Sequence, residues 1–164
     1  MKGGKNLISV PKTNNYSNKS YKFALKCGEN SRVIIPAGPV GTTVTAAALT
    51  INLSNYVNPC IKLDYITQII GLGFAGTLNF QIFRTCNNQG PIPISPEFTY
   101  EVTVPQLITS DFSFFTCDCD LCLNDCCTYI VVITIGGGGF VGNVGAFSSK
   151  LIATIVDSPK PQCQ

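Results

Sequence analysis

Residues 60–84 read CIKLDYITQIIGLGFAGTLNFQIFR, and their alternation decides the fold class. Ile61, Leu63 and Tyr65 interleave with Lys62 and Asp64, while Leu78, Phe80 and Ile82 interleave with Thr77, Asn79 and Gln81. A two-residue period sends successive side chains to opposite faces of an extended chain, so each half is expected to be a half-buried β-strand. Glycines at 71, 73 and 76 divide the stretch into two expected strands, 60–70 and 76–84. Outward from it, β-branched and aromatic runs bounded by Gly, Pro and Asn add strands near 31–35, 42–53, 98–104, 111–117, 127–135 and 148–156. Residues 129–135 are almost continuously apolar, as in a strand covered on both faces or facing a partner subunit. Residues 43–48 are the helix-compatible stretch, but β-branched neighbours and a missing N-cap make them strand. Gly136 to Gly139 are expected as a turn, bulge or close approach, because four glycines lose much backbone entropy in a sheet. Eight short strands with turn-rich links point to an all-β, jelly-roll-like β-sandwich, with a small barrel as the other closure.

The chain has 164 residues, enough for one hydrophobic core, and is 45% hydrophobic but only 12% charged, which excludes wholesale disorder. No apolar run is long enough for a membrane-spanning helix. Charge is unevenly placed. Lys2, Lys5, Lys12, Lys19, Lys22 and Lys26 face no acid in the first 26 residues, whereas five bases meet nine acids from Cys27 onward. The expected organisation is a flexible basic N-terminal arm or connector at 1–27, holding one short strand at YKFAL, a sandwich domain at 28–157 and a tail at 158–164. A basic arm beside an acidic body can dock electrostatically on its own body or on a neighbour's. The opening MKGGKNLISVPKTNN lacks the apolar centre of a secretory signal, so no signal peptide is recognisable.

Nine cysteines are several times ordinary usage, and an odd number leaves at least one without an intrachain partner. Cys163 in SPKPQCQ is the candidate for that role. The segment TCDCDLCLNDCC places Cys117, Cys119, Cys122, Cys126 and Cys127 among Asp118, Asp120 and Asp125. One reading is disulfide pairing of this segment with Cys27, Cys60 and Cys86 at strand ends. Cys126 and Cys127 point to opposite faces if extended, so one can serve the core while the other meets another chain. A second reading is a soft-metal site through Cys117, Cys119, Cys122 and Cys126, since thiolates two to four residues apart can converge on zinc. A third is reduced, buried cysteine packing as a small hydrophobe.

The chain contains no histidine, and so lacks the commonest general base and any Ser-His or Cys-His nucleophile pair. No catalytic residues, no cofactor and no enzymatic activity are expected. GGGGFVGNVG is followed by no Lys-Ser/Thr pair, which leaves a turn rather than a phosphate cradle. The arm lysines are too sparse for a nucleic-acid footprint. Tyr56, Tyr65 and Tyr100 keep a glycan-binding face open.

The run NPCIKLDYITQIIGLGFAGTLNFQIFRTCNNQGPIPISPEF, followed by FSFFTCDCDLCLNDCCTYIVVITI, resembles a cysteine-rich domain family of uncharacterised function from spore-forming bacteria over about residues 27–157. More distantly, the size, β content and arm are similar to jelly-roll subunits of endospore appendages. That likeness implies a fibre in which an N-terminal connector docks on the preceding subunit and disulfides lock the joint. It also implies a spore-surface place that needs no signal peptide. The appendage connectors carry cysteines near the N-terminus, whereas the first here is Cys27.

Together these expectations describe a self-assembling structural subunit of an extracellular or spore-surface fibre or layer, stabilised by strand and arm docking and by disulfides. Its expected partners are itself and other spore-surface proteins, with no nucleic acid and no membrane span. The alternative is a binding module, for a metal through the Cys117 to Cys127 loop or for a glycan.

Overall fold

The computed structural model describes residues 22–87, 89–119, 126–137 and 141–157, and every regular element among them is a β-strand. In chain order these are β1 (Phe23–Cys27), β2 (Ser31–Ile35), β3 (Thr43–Asn52), β4 (Pro59–Cys86), β5 (Ile92–Pro93), β6 (Phe98–Asp118), β7 (Cys126–Ile135) and β8 (Val141–Asp157). All pairings are antiparallel.

The two long strands β4 and β6 organise the molecule. Residues 59–71 of β4 lie between β8 and the second half of β6, whereas residues 76–86 lie between β7 on one side and β5 with the first half of β6 on the other. β1 and β2 extend the first sheet beyond β8, and β3 extends the second beyond β7. Two sheets therefore share β4 and β6 and fold face to face as a jelly-roll-like sandwich. The expected strands 60–70 and 76–84 are one strand, as are 98–104 and 111–117. The glycine stretch read as a break is a bend: register shifts at 71/74, 74/76 and 72/75 absorb the change of direction while pairing continues.

Backbone chemistry explains why glycine occupies that bend. Gly73 has φ 60° and Gly142 has φ 79°. A Cβ on Gly142 would lie 2.3 Å from the Gly73 carbonyl oxygen, so the two chains approach as closely as they do only without side chains. Gly136 is likewise a close approach, its N–H donating to Thr77 O at 2.8 Å; Gly138 and Gly139 lie outside the described residues.

Alternation places one face of each strand in the core. In β4, Ile61, Leu63, Tyr65, Leu78, Phe80 and Ile82 are fully buried. In β7, Tyr129, Val131 and Ile133 are fully buried while the intervening residues are half-buried, so the apolar run at 129–135 is a central strand with an inner and a shielded outer face. Aromatic rings bridge the two sheets: Phe98 stacks on Phe114 at 4.2 Å and Phe80 lies 4.7 Å from Phe112. Fully burying such a ring, as at Phe80, contributes about 1.5–3 kcal/mol. Beside them, Tyr65 OH donates to Ser149 Oγ at 3.1 Å, and the Ser149 and Thr67 hydroxyls are 2.7 Å apart, which satisfies the polar atoms of an otherwise apolar layer. Among the described residues, no helix is long and apolar enough to cross a membrane.

Candidate functional site

Because β4 turns back on itself, its first and last residues arrive at the same end of the sandwich, and there the cysteines gather. Cys60, near the start of β4, is bonded to Cys119, immediately after β6; Cys86, the last residue of β4, is bonded to Cys127 in β7. Both roots of the 120–125 segment are thus tied to β4, one in each sheet. The links span 59 and 41 residues of sequence, and loops of that length stabilise by about 4 kcal/mol each in the chain-entropy account. The Cys86–Cys127 bond faces the core, with Cys86 4% and Cys127 0% exposed, while Cys60 and Cys119 are half-buried.

Between the disulfides lies a buried ionic contact. Asp118 ends β6 in the first sheet, and Arg84 and Tyr129 are opposed residues of β4 and β7 in the second. Arg84 Nη1 donates to Asp118 Oδ1 at 2.6 Å and to Oδ2 at 2.8 Å, and Tyr129 OH donates to Oδ2 at 3.0 Å. Asp118 is 5% exposed, so its charge is matched by the guanidinium rather than by water. Burial, with the neighbouring carboxylate next in size, pushes the Tyr129 phenol well above its ordinary range and keeps it a hydrogen-bond donor. Asp118 therefore ties the two sheets together. The sequence offers no local signal for this: Asp118 reads as one more acid of a polar loop, and its partners are 34 and 11 residues away.

The remaining sequence candidates separate clearly. Cys27, Cys117 and Cys126 are free and exposed. Cys122, Cys163, Asp120 and Asp125 lie outside the described residues. Of the four cysteines considered as metal ligands, Cys119 is in a disulfide and has no thiolate to give. Among the described residues, no group of three or more His, Cys, Asp or Glu is placed to hold a metal ion. Tyr65, considered for a glycan face, is 0% exposed and presents its ring to Phe80 and Phe114 instead. A surface depression of about 370 Å³ beside Ile66, Gln68 and Ser148 contains one acid, Asp111, which accepts from Gln68 Nε2 at 3.4 Å.

Several large apolar side chains are turned outward. Phe23 and Leu25 of β1 are 68% and 58% exposed, and Phe115 of β6 is 62% exposed. They share the outer face of the first sheet with the Lys62–Asp64 ion pair, whose lysine also lies over the Phe115 ring.

Residues 22–156 match the family model described as Domain of unknown function (DUF4489). No curated protein matches the chain. Among solved structures it is similar to a chain in the structure of infectious bursal disease virus Gt strain, with TM-score 0.56 and 12% identity, over 86% of this chain and 35% of that one. It is similar also to a chain in the structure of the Gx strain of the same virus, with TM-score 0.52 and 12% identity, over 88% of this chain and 34% of that one. The chain spans about a third of the length of these solved chains. At such identity the likeness is one of fold, and it agrees with the jelly-roll-like arrangement of the strands.

Proposed function

We propose that this chain, which belongs to the family described as Domain of unknown function (DUF4489), is a self-assembling structural subunit of an extracellular or spore-surface fibre or layer. The observation that carries this reading is the outer face of the β1–β8–β4–β6 sheet, where free thiols and large apolar side chains lie exposed together on a scaffold already closed by two disulfides. Exposed apolar groups gain by being covered, and open sheet edges gain by pairing with another chain, so contact between copies satisfies both. The disulfides fit an oxidising setting. A structural role also suits the use made of the chain's ionisable groups: Asp118 and Arg84 hold sheets together instead of meeting a cleft.

Of the basic arm, taken as 1–27, the part that precedes β1 is proposed to dock on a neighbouring copy. Its last residues, Phe23–Cys27, form β1, which pairs with β8 through Phe23–Val156 to Cys27–Ile152. The tail 158–164, with Cys163, is proposed as a further crosslinking point. Sedimentation of the full chain across a concentration series, under oxidising conditions, tests the reading. Growing species that shrink on reduction, and that weaken when residues 1–21 are deleted, are expected. A monomer at every concentration would overturn it.

A further inference from the structure

The free thiols Cys27 and Cys117 lie on opposite edges of one sheet, on the same face. Leu25, Thr154, Lys62 and Cys117 form one cross-strand row, and Cys27, Ile152, Asp64 and Phe115 form the next. Three strand spacings put the two edges about 14 Å apart, about twice the separation a disulfide can span, so the two thiols cannot bond each other within one copy.

The edge backbone groups are in phase with these side chains. Gly28 N donates to Leu151 O and Asp157 N donates to Lys22 O, so even-numbered residues of β1 bond to β8. The N–H and C=O groups of Phe23, Leu25 and Cys27 therefore point off the free edge. The same alternation makes Leu25–Thr154 a non-hydrogen-bonded pair, Thr154–Lys62 a bonded pair and Lys62–Cys117 a non-bonded pair. The Cys117 backbone groups consequently point off the opposite edge. Among the described residues, β1 pairs only with β8, and β6 only with β4. From β1 through β8 and β4 to β6 the chain direction reverses three times, so β6 runs opposite to β1. A second copy displaced sideways in the same orientation thus brings its β1 antiparallel to the first copy's β6.

We propose that successive copies join edge to edge, β6 of one against β1 of the next, and that Cys117 of the first bonds Cys27 of the second. This rests on the assembly reading above and names its joint. Opposed as a hydrogen-bonded antiparallel pair, the two Cα atoms lie about 5.5 Å apart, inside the range of about 4.4–6.8 Å that disulfides occupy. Because Cys27 sits one row beyond Cys117, each copy steps about 7 Å along the strands. The contact joins two different edges, so it propagates into an open array. In this register Leu25 and Phe115 flank the bond on opposite sides, each two residues along its own strand from the cysteine, and both become covered at the joint.

Bond formation uses a small-molecule disulfide such as oxidised glutathione. The Cys117 thiolate attacks one of its sulfurs and expels a glutathione thiolate, leaving a mixed disulfide. The next copy's Cys27 thiolate then attacks the Cys117 sulfur and expels the second glutathione. Two protein thiols lose two electrons and two protons, and one external disulfide becomes two thiols.

The test uses the full chain with Cys27→Ser and Cys117→Ser, each treated with oxidised glutathione and run on non-reducing gels, with peptide mapping of the bands. The unaltered chain is expected to give a ladder containing a Cys27–Cys117 peptide, each variant alone is expected to lose it, and an equal mixture of the variants is expected to give a dimer joined by that same peptide. A ladder undiminished in either variant, or mapping that shows other pairs alone, would overturn the inference. Electron microscopy of the same samples separates the two levels. Assemblies of the unaltered chain without the Cys27–Cys117 peptide defeat this joint and leave the assembly reading standing, whereas neither ladder nor assembly defeats both.

Discussion

At one end of the sandwich, β4 turns from one sheet into the other through Gly71, Gly73 and Gly76, with β6 following it and no covalent tie; at the other, the start and finish of β4 are each bonded to a root of the cysteine segment. The bent end depends on backbone freedom: positive φ at Gly73, and room for Gly142 to lie against it. The clamped end depends on bonds and a buried charge pair between strands that are distant in sequence. A long ribbon folded over on itself has a preferred crease at the glycines, but nothing there keeps its far ends together. The disulfides and the Asp118–Arg84–Tyr129 contact supply that closure. The two ends should therefore respond to different perturbations.

The largest effect is expected from opening the clamp. Replacing Cys60 with Cys119, or Cys86 with Cys127, by paired alanines should each lower unfolding free energy by about 4 kcal/mol, read from urea denaturation. Under native conditions dithiothreitol should reduce the half-buried Cys60–Cys119 bond before the buried Cys86–Cys127 bond, as followed by thiol labelling. Simultaneous loss would show that the clamp opens as one unit.

Asp118→Ala should cost about 3 kcal/mol, since it strands the half-buried Arg84 and leaves the Tyr129 hydroxyl without its acceptor. If that loss disappears when both disulfides are absent, the ionic contact and the bonds form a single closure.

At the bent end, Gly142→Ala should cost about 2 kcal/mol through strain and contact with Gly73. That cost should be the same in oxidised and reduced protein; a cost that changes with redox state would break the distinction between the two ends.

The smallest effect is a pH dependence. Burial raises the phenol pKa of both Tyr65 and Tyr129 in the folded protein. Above about pH 10 the unfolded chain releases these protons while the folded chain holds them, so stability is full below that pH and falls by about 1 kcal/mol per unit above it for each tyrosine. Tyr129→Phe should remove part of that slope, measured as alkaline unfolding midpoints.

The same contrast explains what could be read from the chain alone. Alternation in 61–65 and 77–82 announces the β class and the inward residues, because period two is a local property. Continuity of β4 across Gly71 to Gly76 is hidden, since glycine punctuates a turn and a bulged bend alike. Cys60 and Cys86 stand out as strand-end cysteines, but their bonding to Cys119 and Cys127 depends on the strand registers that bring these residues together. Asp118 is the residue most misjudged by local context. Its surroundings in sequence are a polar, cysteine-rich loop, and its surroundings in space are an arginine and a buried tyrosine.

Joining of this stapled sandwich to copies of itself is the function proposed for it, and negative-stain electron microscopy of the concentrated full chain in oxidising buffer tests that proposal most directly. Regular fibres or sheets that fall apart or shorten on reduction are the predicted result. A field of uniform single particles, unchanged by concentration and by reductant, would contradict it.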